Sequence, residues 1–365
     1  MRELLDTFDR WQAAGRRSML ARVVEVDGSG PRLPGAAMAV NEDGEVAGSV
    51  SGGCVEGAVV EHALGLLESG GREVVTFGYS DDDAFAVGLT CGGTIHLLIE
   101  PYEGFDAVAA SLKAERPVAI ATIVGGPDIG AKLLVDEDDV IAGTLGNGEL
   151  DRIVARDAQG ELSAGTAAVR HYGPCGEARS DDVSIFIESF APAPKMLIFG
   201  AVDFTAALAS AAKLLGYHVT VCDARQVFAT KRRFPMADEV VVDWPHRLVE
   251  RVGPELSSRD AICVLTHDHK FDVPAIAAAV RTGVGYLGAM GSRRTHDERL
   301  RRLRDEGVTG DELARVMGPI GLDIGARTPE ETAVSVLAEI VAQRSGRSGV
   351  SLRSTSGPIH AATSS

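Results

Sequence analysis

Hydrophobic positions follow two different patterns along the chain. In the first half, short apolar runs alternate with Gly-rich and charged segments, and they predict strands at residues 20–26, 37–40, 95–100, 118–124, 132–135 and 185–188. Residues 53–68 instead carry apolar side chains at helical spacing and predict a helix. The acidic segment 136–159 lacks either pattern, so we expect it to be mostly loop.

A regular alternation of strands and helices begins after Ala191-Pro-Ala-Pro194. Strands are predicted at residues 196–199, 218–222, 240–242, 262–265 and 285–287, with a helix at 204–215 that ends at Gly216. This alternation is typical of a doubly wound parallel sheet.

The two prolines favour an extended connector, because each disfavours helix in the preceding residue. We therefore predict an N-terminal α/β domain at residues 1–190 and a Rossmann-like domain at 195–343. Residues 344–365 are rich in Ser, Arg and Gly and predict a disordered tail.

Composition and charge narrow the function. A chain of 365 residues with 45% hydrophobic residues is long enough for two folded domains. The excess of 52 acidic over 36 basic residues gives a net charge of −16, which argues against nucleic-acid binding. The five cysteines lack CxxC spacing, so a disulfide framework or a structural zinc site is not expected. With neither a secretory signal nor an apolar run long enough to span a membrane, the chain is predicted to be cytoplasmic.

A Gly/Ser loop delivers a cysteine to the start of the first predicted helix. Ser51, Gly52 and Gly53 precede Cys54, and Glu56 follows in the first helical turn. Helix N-termini attract anions and favour the thiolate form of cysteine, and an acidic residue there complements the helix dipole. The alternative is a Gly-rich helix cap in which Cys54 is simply a small buried residue.

Two more features of the first half suggest ligand binding. Cys91, Gly92 and Gly93 precede an apolar strand; if this loop meets the first, Cys54 and Cys91 could hold a soft metal or its sulfur ligands. The alternative is that Cys91 packs at a strand start. Arg32 lies in a Gly/Pro turn, where its guanidinium could bind phosphate or carboxylate, or remain solvated.

The second half begins with an altered dinucleotide fingerprint. Gly200 occupies the strand-to-helix turn, and Asp223 follows 23 residues later, close to the spacing of a ribose-binding acid. Val202 and Thr205 replace the second and third glycines, and Asp203 adds negative charge where a pyrophosphate would bind. The degraded fingerprint predicts weak or absent NAD(P) binding.

Another possible anion site combines Gly291, Ser292, Arg293 and Arg294 before a helix predicted around residues 296–306. Backbone amides, a hydroxyl and two guanidinium groups could converge on a phosphate. The alternative is a capped helix with surface arginines.

His267 and His269 follow a predicted strand, but without a remote third ligand they indicate local hydrogen bonding rather than a metal site. Thr328 and Glu331 form a predicted capping box with Pro329 at the first helical position, and the helix should continue to Val341.

Four segments resemble the XdhC/CoxI family of accessory factors for xanthine dehydrogenase and carbon monoxide dehydrogenase. They are residues 48–56, 91–94, 286–294 and 319–331, and the resemblance extends over about residues 20–341. It implies a maturation factor that binds molybdenum cofactor, as molybdopterin or its dinucleotide, supports its sulfuration and transfers it to an apo-molybdoenzyme. A cysteine desulfurase would be a second partner, and a homodimer is compatible with this interpretation.

The resemblance also assigns residues. Cys54 corresponds to the family's loop cysteine, Cys91 to the cysteine of its CGG motif, and Arg32 to the arginine of its Gly-rich turn. The family usually has Gly-Ala-Gly-His at the Rossmann turn, whereas this chain has Gly200-Ala-Val-Asp203.

Two alternatives belong to other functional classes: an NAD(P)-dependent oxidoreductase that uses the second domain, and a dehydrogenase-associated structural subunit. The chain has no cysteine runs of the iron–sulfur type and is too short for a complete molybdenum dehydrogenase. An accessory factor is therefore favoured over a catalyst.

Overall fold

The computed structural model describes residues 1–28, 30, 32–78, 93–178 and 180–356. These residues form two compact units, Met1–Pro192 and Ala193–Thr355. The boundary between them along the chain falls within the segment Ala191-Pro-Ala-Pro194. This segment has no regular secondary structure. Each unit is described separately below.

Unit 1 contains two five-stranded antiparallel sheets. The first has the order β3-β2-β1-β5-β4 and consists of β1 (Ser18–Asp27), β2 (Ala37–Asn41), β3 (Val46–Gly48), β4 (Glu73–Phe77) and β5 (Thr94–Pro101). The second has the order β8-β7-β6-β10-β9 and consists of β6 (Val118–Gly125), β7 (Lys132–Val135), β8 (Val140–Thr144), β9 (Ala167–Tyr172) and β10 (Val183–Phe190). The helices are α1 (Leu5–Ala13), α2 (Glu56–Ser69), α3 (Asp106–Lys113) and α4 (Gly148–Ala164).

Strand β1 is apolar on both faces because both are covered. Met19 and Val23 pack with residues of α2 on one side, whereas Val24 packs against Phe186 of the second sheet on the other. Helix α2 presents Val59, Ala63 and Leu67 at four-residue intervals to the first sheet.

Helix α2 begins three residues later than predicted. Gly52 and Gly53 have φ angles of +78° and +119°, outside the helical region, so the loop continues to Val55 and the helix starts at Glu56. Cys54 therefore precedes the helix instead of lying within its first turn.

The prediction that residues 136–159 form a loop was wrong. This segment contains β8 and most of α4, whose N-cap residue Asn147 accepts hydrogen bonds from the amides of Glu149 and Leu150. Helix α4 buries Leu150, Val154, Ala158 and Leu162, a spacing of four that the charged residues between them conceal.

Unit 2 has a six-stranded parallel sheet with the order β13-β12-β11-β14-β15-β16. Its strands are β11 (Lys195–Phe199), β12 (His218–Cys222), β13 (Glu239–Val241), β14 (Ala261–Val264), β15 (Tyr286–Ala289) and β16 (Val316–Met317). Its helices are α5 (Asp203–Leu214), α6 (Pro245–Val252), α7 (His269–Ala279), α8 (Arg293–Asp305), α9 (Gly310–Ala314) and α10 (Pro329–Arg344). Counted from β11, the order is that of a Rossmann sheet, which confirms the predicted doubly wound fold.

Separate apolar clusters cover the two faces of this sheet. One contains Leu248 of α6 and Ile276 of α7, and the other contains Leu208 of α5 and Val336 of α10. Because both faces are buried, the strands are continuous apolar runs.

Helix α10 begins with the predicted capping box. The Thr328 hydroxyl accepts from the Glu331 amide, and the Glu331 carboxylate accepts from the Thr328 amide, with Pro329 at the first helical position. The tail was predicted to begin at residue 344, but Arg344 is the last residue of this helix. Residues 345–356 follow the helix, and residues 357–365 lie outside the described residues. Nowhere in the described ranges is a helix both long and apolar enough to cross a membrane.

Candidate functional site

The carboxylate of Glu56 occupies the centre of the Gly/Ser loop. It accepts six hydrogen bonds of 2.5–3.2 Å from the amides of Ser51, Gly52, Gly53 and Val55 and from the hydroxyls of Ser49 and Ser51. Burial opposes ionisation, but the hydrogen bonds from Ser51 and Ser49 outweigh it and lower the pKa of Glu56 to about 2.

The sequence predicts that this helix start attracts anions and that Glu56 complements the helix dipole, and Glu56 does lie in the first turn of α2. The structure adds a partner for the loop amides. The amides of Gly52 and Gly53 both donate to Glu56, so the protein's own carboxylate is the anion that this loop binds.

Cys54 is half-buried beside the core that α2 forms with the first sheet. Its amide donates to the Ser51 hydroxyl oxygen at 2.9 Å, and the Val55 amide donates to the same oxygen at 3.0 Å. Ser51 is itself buried and donates to Glu56. The backbone on both sides of Cys54 is therefore held by a chain of hydrogen bonds that ends at one carboxylate.

The second cysteine loop is only partly described: Cys91 and Gly92 lie outside the described residues, and Gly93 immediately precedes β5. A Cβ atom added at Gly28 would lie 3.8 Å from the Gly93 Cα, so the Gly-rich turn after β1 lies beside Gly93. Arg32, in that turn, is exposed. Within the described ranges, no three or more His, Cys, Asp or Glu side chains are grouped to hold a metal.

The Rossmann turn of unit 2 requires its first glycine. Gly200 has a φ of +109°, and a Cβ there would lie 2.6 Å from the Thr266 side chain. Val202 stands at the N-cap of α5 without a side-chain capping bond, and Asp203 is almost fully exposed with Arg233 at 3.7 Å.

The carboxylate of Asp223 is buried and already accepts hydrogen bonds from other residues of this protein. It accepts from the Ala201 amide at 2.8 Å and from Arg225 through the backbone amide and two guanidinium nitrogens at 2.7–2.9 Å. Burial acts to raise the pKa of Asp223, but the bonds from Arg225 and Ala201 prevail and lower it. A ribose hydroxyl would have to displace Arg225 to reach this carboxylate.

We therefore expect the isolated protein to show no micromolar affinity for NAD⁺ or NADPH in calorimetric titrations. The Asp223 carboxylate already binds Arg225, so it is not available to a ribose hydroxyl. A pyrophosphate at this turn needs glycine, which lets the backbone approach closely, and a positive potential, whereas the chain has Val202 and the acidic Asp203 there. A submicromolar affinity that Asp223→Ala abolishes would contradict this prediction and support an NAD(P)-dependent oxidoreductase.

The segment at Gly291 forms the start of α8. Ser292 is its N-cap and accepts from the Thr295 amide at 3.1 Å, as the capped-helix alternative requires. Arg293 and Arg294 are exposed, and Arg294 lies 3.2 Å from Glu298. Gly291 has a positive φ of +147°. The structure thus accounts for Ser292 by capping and leaves both guanidinium groups at the surface.

One buried pair at the carboxyl edge of this sheet was missed by sequence reasoning. Arg299 of α8 donates to Asp272 of α7 at 3.0 Å and to the Met290 carbonyl after β15 at 2.8 Å. Thr266, after β14, donates to the same carboxylate. His267 and His269 are both exposed. The spacing of Arg299 among the other arginines of α8 gave no sign that this one is buried.

Comparisons with known proteins agree with this architecture. The family model described as the XdhC Rossmann domain matches residues 196–340, and that described as the XdhC and CoxI family matches 11–78 and 111–173. A crystal structure described as a xanthine dehydrogenase from Bacillus halodurans superposes with a TM-score of 0.68 at 25% identity, covering 97% of this chain and 98% of that one.

Two relatives match nearly the whole chain. A protein of Bacillus subtilis, described as a probable xanthine dehydrogenase subunit, is 29% identical over 335 residues, which are 90% of this chain and 93% of the relative. "Molybdenum cofactor insertion chaperone PaoD" of Escherichia coli is 27% identical over 334 residues, 91% of this chain and 85% of the relative. With its cysteine loop, its Rossmann sheet and these matches, the chain belongs to the XdhC and CoxI family.

Proposed function

We propose that this protein binds molybdenum cofactor and supports its sulfuration and insertion into a molybdoenzyme of the xanthine or carbon monoxide dehydrogenase type. The relative PaoD, described as a molybdenum cofactor insertion chaperone, supports this proposal. The observation that carries it is the loop in which Glu56 holds the backbone on both sides of Cys54. The partners proposed are the apo-enzyme and a cysteine desulfurase as the sulfur source.

Thiol chemistry is the reason to place Cys54 at the centre of this function. A thiolate is a soft ligand that could bind molybdenum or hold its labile sulfur, whereas the hydroxyls of Ser49 and Ser51 are harder ligands and are already bonded to Glu56. Cys91 is proposed as a second thiol of the same kind. Within unit 1, the exposed guanidinium group of Arg32 is proposed to bind the anionic tail of the cofactor. The exposed Arg293 and Arg294 of unit 2 are proposed as a separate anion site.

Cys54→Ser should lower the molybdenum content of protein purified without oxygen by about tenfold or more while leaving its melting temperature close to that of the wild type. The substitution nearly preserves volume, so a half-buried site should tolerate it. Mass spectrometry of molybdenum and calorimetric melting on the same sample measure both quantities.

Cys175→Ser is the matched control, because Cys175 is exposed and lies far from α2 in sequence. This variant should retain the molybdenum of the wild type. If Cys54→Ser melts early yet retains its molybdenum, Cys54 is a packing residue and the proposed role is wrong.

A further inference from the structure

Unit 1 contains a cavity of about 1150 Å³ between the ends of its two sheets. Its walls come from the end of β1, the turn between β1 and β2, and strands β9 and β10, including Val24, Val26, Ala167 and Val169. The volume slightly exceeds that of pockets for drug-sized ligands. It has room for a fused bicyclic ring with a phosphorylated side chain.

A buried carboxylate lines this cavity. Glu188 of β10 is 4% exposed, and its Oε2 accepts from Nη1 of Arg22 at 3.1 Å. Its Oε1 accepts no hydrogen bond from any residue in the described ranges, and a Cβ added at Gly35 would lie 3.4 Å from it. Because Glu188 lines the cavity and Oε1 has no protein donor in the described ranges, an N–H group of a ligand in the cavity can complete its hydrogen bonding from that side.

The charge around Glu188 favours a neutral donor over a cation. Arg22 also donates to Glu100 at 2.7 Å, and Lys132 donates to Glu100 at 2.6 Å. Two cations therefore already balance two carboxylates in this network. The amino group of Met1 also lines the cavity and interacts with Glu188, so a further positive charge is not needed. A neutral group with N–H donors would satisfy Oε1 without the cost of burying another ion.

We infer that this cavity binds the pterin ring of the cofactor, with Glu188 as the acceptor for its pyrimidinone edge; the inference rests on the proposed function. That edge presents a ring N–H beside an exocyclic amino group, two parallel donors that match a carboxylate as a guanidinium does. The apolar walls suit the faces of a flat ring. Arg32, exposed in the turn that borders the cavity, can meet the phosphate of the side chain.

The test is a fluorescence titration of the whole protein with 6-hydroxymethylpterin. Glu188→Gln should weaken binding by about tenfold or more, because it removes a charged acceptor. Glu100→Gln is the matched control, because Glu100 also bonds to Arg22 but does not line the cavity. Titrated at a temperature at which circular dichroism shows each variant to be folded, it should bind the pterin as the wild type does. The 2-oxo analogue, 6-hydroxymethyllumazine, lacks the amino donor and should bind the wild type about as weakly as the pterin binds Glu188→Gln.

Ala167→Leu tests the cavity while leaving every charged side chain of the ion network in place. Ala167 pairs with Glu188 across the strands and lines the cavity, so a larger side chain there should exclude the ring. Pterin binding unchanged by Ala167→Leu, equal losses in Glu188→Gln and Glu100→Gln, or no binding to the wild type would each overturn the inference.

Molybdenum content separates this inference from the proposed function. If the wild type and Glu188→Gln co-purify with equal molybdenum, the pterin site is wrong while the proposed function stands. If the wild type carries no molybdenum but binds the pterin through Glu188, the site is supported and the proposed function is not.

Discussion

Replacing Arg22 with methionine should lower the free energy of unfolding of unit 1 by about 3–5 kcal/mol, the typical cost of breaking a buried ion pair. Arg22 is fully buried and donates to Glu100, Glu188 and Thr122 at 2.7–3.2 Å. Methionine fills much of its volume but leaves Glu188 without its cation and Glu100 with Lys132 alone. The loss would therefore come from uncompensated charge rather than from a cavity.

Arg17→Met is the control for this prediction. Arg17 also pairs with a carboxylate, Glu42, at 3.1 Å, but its side chain is 64% exposed, and solvent screening leaves such exposed pairs with little effect on stability. Calorimetric melting of the two variants and the wild type makes the comparison. Similar small shifts for both variants would show that the buried network contributes no more than a surface pair.

Glu56→Gln should reduce the molybdenum content to the level of Cys54→Ser, although Cys54 itself is unchanged. The six donors around Glu56 need two acceptor oxygens, and glutamine offers one oxygen and an amino group that cannot accept. The loop must then rearrange, and stability should fall by about 1–3 kcal/mol from unsatisfied donors. Hydrogen exchange at the Gly52 and Gly53 amides measures the loop directly and should be faster in the variant.

Glu61→Gln, at an exposed position of the same helix, should change neither molybdenum content nor exchange. Retention of wild-type molybdenum by Glu56→Gln would mean that Glu56 does not position Cys54.

The protection of these amides should also depend on pH in the wild type. Glu56 has a pKa of about 2 in the folded protein against an ordinary value of 4.5, so its ionised form stabilises the fold. This contribution is complete above the unfolded pKa and is lost as pH falls through the folded pKa. Amide protection should decline as the pH approaches 2, and Glu56→Gln should lack this change.

Sequence reasoning was most successful where local pattern determines structure. In unit 2, buried parallel strands appear as apolar runs between amphipathic helices, and strand β12 (His218–Cys222) has the predicted bounds. The helix at 148–164 was missed although Asn147 and the spacing from Leu150 to Leu162 mark it, because the acidic residues dominated the interpretation. Its signal was present in the sequence.

Other parts of the candidate site could not be predicted from one sequence. Arg22 within an apolar strand hints at a buried ion, but its partners Glu100 and Glu188 lie 78 and 166 residues away. Glu56 was recognised as a helix-start residue, and nothing in its spacing shows that the carboxylate turns back into the loop. The Arg22 network depends on the positions of strands that are distant in sequence, and the Glu56 hydrogen bonds depend on the conformation of an irregular loop. Local sequence propensity specifies neither of them.

The same arginine bears on the order in which unit 1 assembles during synthesis. Strand β1 is made early, yet the guanidinium of Arg22 has no complete set of partners until β5 and β10 are in place, the latter more than 160 residues afterwards. Closing so long a loop is slow, and a guanidinium buried before its carboxylates arrive would be strongly disfavoured. The nascent chain should therefore hold β1 open to water until the last strand of the second sheet emerges, and the two sheets should then close in one cooperative step.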